Sequence, residues 1–228
     1  MYRLLHLLRT SIGQKLLMAV SGLVLVAFVA GHMIGNLKVF QGPGSLNDYA
    51  AWLQGHPLLW GIRLFMLAVV VAHILMAIRL VLGNRGARPR SYALRVYGYT
   101  GIAARTMAIS GVLILLFLVF HLLHLTVGTV QPDLAALVDR SGQVDVYRRV
   151  VLGLDTPWVA GVYIVSVLLV GLHLQHAVAG LVRTLGFSNA HFHRTIDTAG
   201  TVIAVLVTLG FLAIPVGVLT GLLTVAGA

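Results

Sequence analysis

Residues 106–130 read TMAISGVLILLFLVFHLLHLTVGTV, twenty-five positions with no Asp, Glu, Lys or Arg and two histidines in the second half. A helix rises about 1.5 Å per residue, so a run of this length crosses a hydrocarbon core of about 30 Å with some tilt. Four runs of similar length and character flank it: Leu16–Phe40, Leu58–Leu82, Trp158–Val182 and Ile196–Val218. Pro57 and Pro157 stand where a first helical turn begins, a position proline tolerates, and Gly83 and Gly186 stand where the second and fourth helices should stop. The expected fold is all-α, with residues 1–228 forming a single membrane domain of five transmembrane helices and no separate soluble domain. The first run follows Arg3, Arg9 and Lys15 as a signal peptide would, but it is too long for an h-region and lacks a small-x-small cleavage site, so it is kept as a span.

Composition agrees. The chain is 59% hydrophobic and 10% charged, against about 45–50% and about 25% in soluble domains. Sixteen Lys and Arg face six acids, every one of them Asp, for a formal charge of +10. With a cytoplasmic N-terminus, the inner side holds Arg3, Arg9, Lys15, Arg79, Arg85, Arg88, Arg90, Arg95, Arg105, Arg183 and Arg194, eleven of the sixteen. Lys38, Arg63, Arg140, Arg148 and Arg149 fall outside, with every Asp except Asp197. The positive-inside rule thus places the N-terminus in the cytoplasm and the C-terminus outside. Because the basic residues flank spans and form no free patch, no nucleic-acid partner is expected. The inner connection Asn84–Arg105 carries five Arg, three Tyr and no acid, which suits either contact with anionic membrane lipid or docking of an acidic soluble partner. The outer connection, Gln131–Thr156, is long enough for a short surface helix. The absence of Cys excludes disulfides, thiolate-bound iron–sulfur clusters and C-x-x-C-H haem attachment.

Ten histidines in so apolar a chain need a reason, because ionisable groups inside a bilayer are costly. Six lie within the runs: His32, His73, His121, His124, His173 and His176. His32 and His121 stand about 26 Å and about 24 Å from the inner ends of their helices; His73 and His173 stand about 9–15 Å and about 15 Å from theirs. That makes an outer pair on the first and third helices and an inner pair on the second and fourth. Two facing neutral imidazoles are what bis-His ligation of a b-type haem requires, and two layers imply two haems. A metal-transport site would instead gather its ligands at one depth, with carboxylates among them. His124 and His176 each follow a candidate by three residues, roughly on the same face, so spacing leaves either member of each pair as the ligand.

An internal repeat supports the layering. Ser21-Gly22 precedes His32, and Ser110-Gly111 precedes His121, each Gly ten residues before its His. The eleven-residue step from Ser to His returns to within about 20° of the same face. Ser21 and Ser110 should therefore face inward at the inner pair's depth, as small packing residues, as room for a macrocycle, or as both.

These segments resemble a known family, the five-helix di-haem cytochrome b anchor of succinate:quinone oxidoreductases and fumarate reductases (complex II with one large anchor subunit). The resemblance covers nearly the whole chain. It is carried by Ser11-Ile12-Gly13-Gln14-Lys15, His32-Met33-Ile34-Gly35-Asn36-Leu37, Asn47-Asp48-Tyr49-Ala50, Ala72-His73, Leu118 to His124, Leu172 to His176 and Arg183-Thr184-Leu185-Gly186-Phe187. It implies that His32 and His121 hold the haem distal to the soluble subunits and that His73 and His173 hold the proximal one. It favours His121 over His124 by the spacing from the preceding Gly, and His173 over His176 as head of an H-x-x-[HN] segment. It further implies a flavoprotein subunit and an iron–sulfur subunit docked on the cytoplasmic face, and menaquinone as the quinone. The location would be a bacterial cytoplasmic membrane, with room for an oligomer of the whole complex. On that reading Arg79, Arg183, Ser21 and Ser110 are candidate propionate-side contacts of the inner haem, with membrane topology or helix packing as the alternative role for each, and His124 and His176 stand beside the ligands.

Relatives studied for proton transfer carry a Glu two residues before the fourth-helix ligand, where this chain has Gly171, and an acid near the outer quinone site, where it has Gln54 beside His56. Transmembrane proton transfer is therefore not carried over, and the quinone's proton partner falls to His56, Asp48 or water. Two other readings compete. The anchor of a hydrogenase or formate dehydrogenase fits the opening Ser-Ile-Gly-Gln-Lys segment poorly. A haem-free transporter with a histidine proton relay would call for broken helices or core carboxylates, and the runs contain neither.

Overall fold

A computed structural model describes residues 10–87, 102–187 and 192–225. Its elements are α1 (Ser11–Asn36), continued by a 3-10 turn over Leu37–Gln41, α2 (Pro43–Gly55), α3 (Leu59–Gly86) and α4 (Ile102–His121), continued by a π-helical turn over Leu122–Val127. Then come α5 (Pro132–Ala135), α6 (Val146–Asp155), α7 (Pro157–Thr184) and α8 (His193–Leu219). Five of these, α1, α3, α4, α7 and α8, are long and apolar enough to cross a membrane. No strand forms among the described residues beyond a single bridge between Val138 and Val144. Most of the basic Asn84–Arg105 connection, and with it Arg88, Arg90 and Arg95, lies outside the described residues, as do Arg3, Arg9, His6 and His191.

The helix ends follow local chemistry. α7 starts on Pro157, as its sequence predicts. It stops in a Schellman motif: Gly186 adopts φ +83°, its N–H donates to the Arg183 carbonyl, and the Phe187 N–H donates to the Val182 carbonyl at 3.2 Å. Gly83 does not end α3, which runs on to Gly86: it does not take the left-handed conformation of a C-cap, and its carbonyl still accepts from the Ala87 N–H at 3.0 Å. Pro57 sits in the turn before α3 rather than within it.

The chain groups into two compact units. The first comprises Met1–Phe28, Gly61–Ser110 and Leu172–Ala204; the second comprises Val29–Trp60, Gly111–Gly171 and Val205–Ala228. In the first, the buried positions are mostly small: Ala19, Ser21, Ser110, Ala179 and Ala204, with Met76 and Leu174. Gly200 lets α8 approach α7 so closely that a Cβ would lie 3.3 Å from the Gln175 carbonyl oxygen. Small residues at such crossings let backbones approach, which is how helices associate in lipid. Outward faces carry residues such as Leu64, Leu116 and Leu206, each more than 60% exposed. In a soluble domain those positions would be polar.

The second unit holds the main core. α6 buries Tyr147, Val150, Val151 and Leu154, the i, i+3, i+4, i+7 stripe of an amphipathic helix, against Val39, Leu46, Val159, Tyr163, Ile214 and Val218. Asp145 caps α6 by accepting from the Arg148 N–H at 3.0 Å. The short surface helix expected in the Gln131–Thr156 connection is this α6, with the single turn α5 before it. Between them, Asp139 closes a turn by accepting from the Ser141 hydroxyl and the Ser141 and Gln143 N–H groups. The Ser141 hydroxyl, foremost, holds that carboxyl below the usual carboxylate range. α2 was not anticipated: residues 43–55 are too polar to read as a span and too short to stand out.

The π turn after α4 ends at Gly128, whose φ of +81° only glycine adopts without cost and whose missing side chain leaves space for Ala135. Gly128→Ala is expected to destabilise the protein by roughly 1–3 kcal/mol, read as a lowered thermal midpoint in detergent.

Candidate functional site

The first unit contains two matching hydrogen bonds. Ser21 on α1 meets His73 Nδ1 on α3 at 3.0 Å, and Ser110 on α4 meets His173 Nδ1 on α7 at 3.1 Å. Each serine has one hydroxyl hydrogen, and each donates it to its own helix: Ser21 to the Leu17 carbonyl at 2.7 Å, Ser110 to the Met107 carbonyl at 3.1 Å. Each Oγ is therefore left as an acceptor, and the proton between Ser and His belongs to the imidazole. Both histidines are set as the Nδ1–H tautomer, with the Nε2 lone pair available. This is the form that binds a metal, oriented by a partner on the other nitrogen. The sequence repeat pointed at both serines but suggested contact with a macrocycle; in the structure their hydroxyls are on the histidines. Gly22, next along, faces the His73 ring, with 3.5 Å from a Cβ position to Cε1.

In the second unit, the rings of His32 and His121 lie 5.9 Å apart, centre to centre, and nearly perpendicular at 84°. An imidazole nitrogen sits about 2.0–2.1 Å from a bound zinc ion; at a similar distance, one metal between two opposed rings puts their centres roughly 6 Å apart. An open cleft of about 430 Å³, counting its open side, is lined by both histidines with Asn36, Phe211 and Pro215. Pro215 lies inside α8 and cannot donate to the Phe211 carbonyl one turn back. The Asn36 amide nitrogen is 3.3 Å from each ring nitrogen of His32 and donates to the His32 carbonyl at 2.8 Å. Whichever nitrogen of His32 binds a metal must therefore leave that amide.

His124, on the π turn, is 2% exposed and uses both ring nitrogens: Nδ1 with the Tyr163 hydroxyl at 2.9 Å, Nε2 with the Gln131 amide oxygen at 2.8 Å. His121 meets the same hydroxyl through Nδ1 at 3.2 Å. Spacing left His121 and His124 as alternatives, and their environments differ: His124 has no nitrogen to offer, and His121 keeps Nε2. In the other pair, His176 makes no hydrogen bond among the described residues, whereas His173 has Ser110.

The remaining candidates are dispersed. Arg183 is ion-paired with Asp197 at an exposed position, and Arg79 is exposed. On α2, Asp48 and Gln54 are both exposed, about 120° apart around the axis and about 9 Å apart along it. His56 lies at the end of that helix, edge-on to Trp52 at 5.8 Å, and its Nδ1 accepts from the Leu58 N–H. No contact gathers Asp48, Gln54 and His56 into one site among the described residues. At Gly171, a side chain would run into Thr208 of α8, so the position has no room for a longer residue in this packing.

Tyr163, Gln131 and Gly153 went unnoticed in the sequence. A signal for Tyr163 existed, since it is the only one of seven Tyr within the five apolar runs, and a phenol in hydrocarbon needs a partner. Comparison with protein-family models, with curated proteins and with solved structures finds no match for this chain. Fold and site define a multi-helix membrane protein in which His73, His121, His124 and His173 are hydrogen-bonded to serine or tyrosine hydroxyls.

Proposed function

We propose that this chain is a di-haem cytochrome b membrane anchor of the succinate dehydrogenase and fumarate reductase type. It would lie in a bacterial cytoplasmic membrane with its N-terminus in the cytoplasm and its C-terminus outside. The observation that carries this reading is the matched pair Ser21–His73 and Ser110–His173, which presents two neutral imidazoles in the ligating tautomer from two different helix pairs. The His32–His121 spacing and the quoted sequence segments support it independently. His73 and His173 would hold one haem b, and His32 and His121 the other. Haem b, when bound, supplies one-electron transfer between the iron–sulfur partner's centres and a quinone, with menaquinone favoured by the family resemblance.

The chain's own residues orient and enclose. Ser21 and Ser110 fix ring tautomers; the apolar lining excludes water; the basic cytoplasmic connections offer a face for the iron–sulfur and flavoprotein subunits. Succinate chemistry belongs to the flavoprotein, and this chain has no part in it.

The expected result is two haem b per polypeptide by pyridine haemochrome, with a b-type reduced-minus-oxidised spectrum and quinone-linked succinate oxidation by the co-purified complex. A preparation without haem b would overturn the proposal, and one haem would remove one of the two pairs. Ser21→Ala and Ser110→Ala are each expected to weaken retention of the same haem by about 10-fold or more, measured by haem loss to a competing apoprotein.

A further inference from the structure

Haem ligation uses His121 and leaves His124 without a task, although His124 is 2% exposed and fully hydrogen-bonded. The placement of the Gln131 amide gives those bonds a direction. In the structure the Gln131 amide nitrogen faces the Thr156 hydroxyl at 3.3 Å and the amide oxygen faces His124 Nε2 at 2.8 Å. Two acceptors do not sit that close, so Nε2 carries a proton. A second proton on the ring would place a cation in an apolar interior where no carboxylate hydrogen-bonds it. Nδ1 is therefore an acceptor, and the Tyr163 hydroxyl donates to it at 2.9 Å. With its only hydrogen committed there, the phenol oxygen faces His121 Nδ1 at 3.2 Å as an acceptor, and that nitrogen must carry the proton.

Gly153 on α6 makes the arrangement sterically possible. A Cβ there would lie 3.0 Å from His124 Nε2 and 3.2 Å from Gln131 Oε1, against both ends of the bond between them. The π turn contributes as well, since an added residue per turn re-aims a side chain, and such turns gather at functional sites.

We infer that Thr156, Gln131, His124 and Tyr163 form a directed hydrogen-bond relay that locks His121 as the Nδ1–H tautomer and strengthens its Nε2 as a donor to iron. The iron-donor half rests on the proposed haem-holding role. Tyr163 and His124 are positioning residues: they act through His121. Pulling on the Nδ1 proton gives the ring imidazolate character, favours ferric iron and lowers that haem's potential, and successive bonds in a chain reinforce one another.

The test uses the full chain, labelled with 15N-histidine and held in lipid nanodiscs. His124 is expected as the Nε2–H form and His121 as the Nδ1–H form. In Tyr163→Phe, His124 should stay Nε2–H while His121 loses its single tautomer. Finding the His124 proton on Nδ1 overturns the relay. In the haem-loaded protein, redox titration of Tyr163→Phe should show one haem potential raised, the other unmoved and haem content unchanged. Gly153→Ala, which leaves Tyr163 in place and crowds the far end of the chain, should shift the same haem by less in the same direction. Unshifted potentials in both variants overturn the inference. A wild-type protein without haem would sink the proposed function and the iron-donor half with it, and the NMR measurement would then decide the relay on its own.

Discussion

His73→Ala and His173→Ala are each expected to lose the same one of two haems, halving the haemochrome signal while the other b-type absorption band survives. His32→Ala and His121→Ala are expected to remove the complementary one. A bis-His haem loses half of its axial set with either substitution, so the two members of a pair should give the same phenotype, and members of different pairs should not. The sharpest comparison is His173→Ala against His176→Ala. The Ser110 bond belongs to His173, and His176 has no comparable partner among the described residues. Loss of haem from the His176 variant, with the His173 variant still fully loaded, would reverse the assignment. The parallel pair is His121 and His124. His124→Ala should keep its haem, because both nitrogens of that ring are committed to Gln131 and Tyr163.

The second large effect is one of stability. Asn47 is 7% exposed and Asp145 is 6% exposed. The Asn47 side chain donates to Asp145 Oδ1 at 3.0 Å and accepts from the Tyr147 N–H at 2.9 Å, so one amide links α2 to the start of α6. Asn47→Ala takes a donor from a buried carboxylate and leaves a buried backbone N–H unpaired, which together cost roughly 2–4 kcal/mol. Asn47→Asp should cost at least as much, since it sets two carboxylates face to face. Thermal unfolding in detergent, followed by helical circular dichroism, measures both. A change within about 0.5 kcal/mol, the range of an ordinary surface substitution, would show that α2 is held by its apolar contacts alone.

Much of this protein was legible before any coordinates. The five spans follow from apolar runs, the caps at Pro157 and Gly186 from residue chemistry, and the two groups of histidines from counting along helices. The Ser21 and Ser110 repeat stood out as well, but not the atom each hydroxyl would meet. Asn47 was visible as part of a recognisable segment, yet its partner Asp145 lies 98 residues away. α2 escaped notice because its stabilising contacts, Leu46 in the core and Asn47 on Asp145, are with distant parts of the chain.

The difference has a physical cause. Transfer of a helix into hydrocarbon depends on the apolar surface of its own residues, so the apolar runs alone decide that five segments are long and apolar enough to cross a membrane. Which histidine nitrogen keeps its lone pair depends on the donors and acceptors around it, and those arrive from other helices. His121 and His124 share a helix and nearly a face. A π turn, a tyrosine 39 residues beyond His124 and a glutamine across the following turn commit one of them and leave the other with a nitrogen to give.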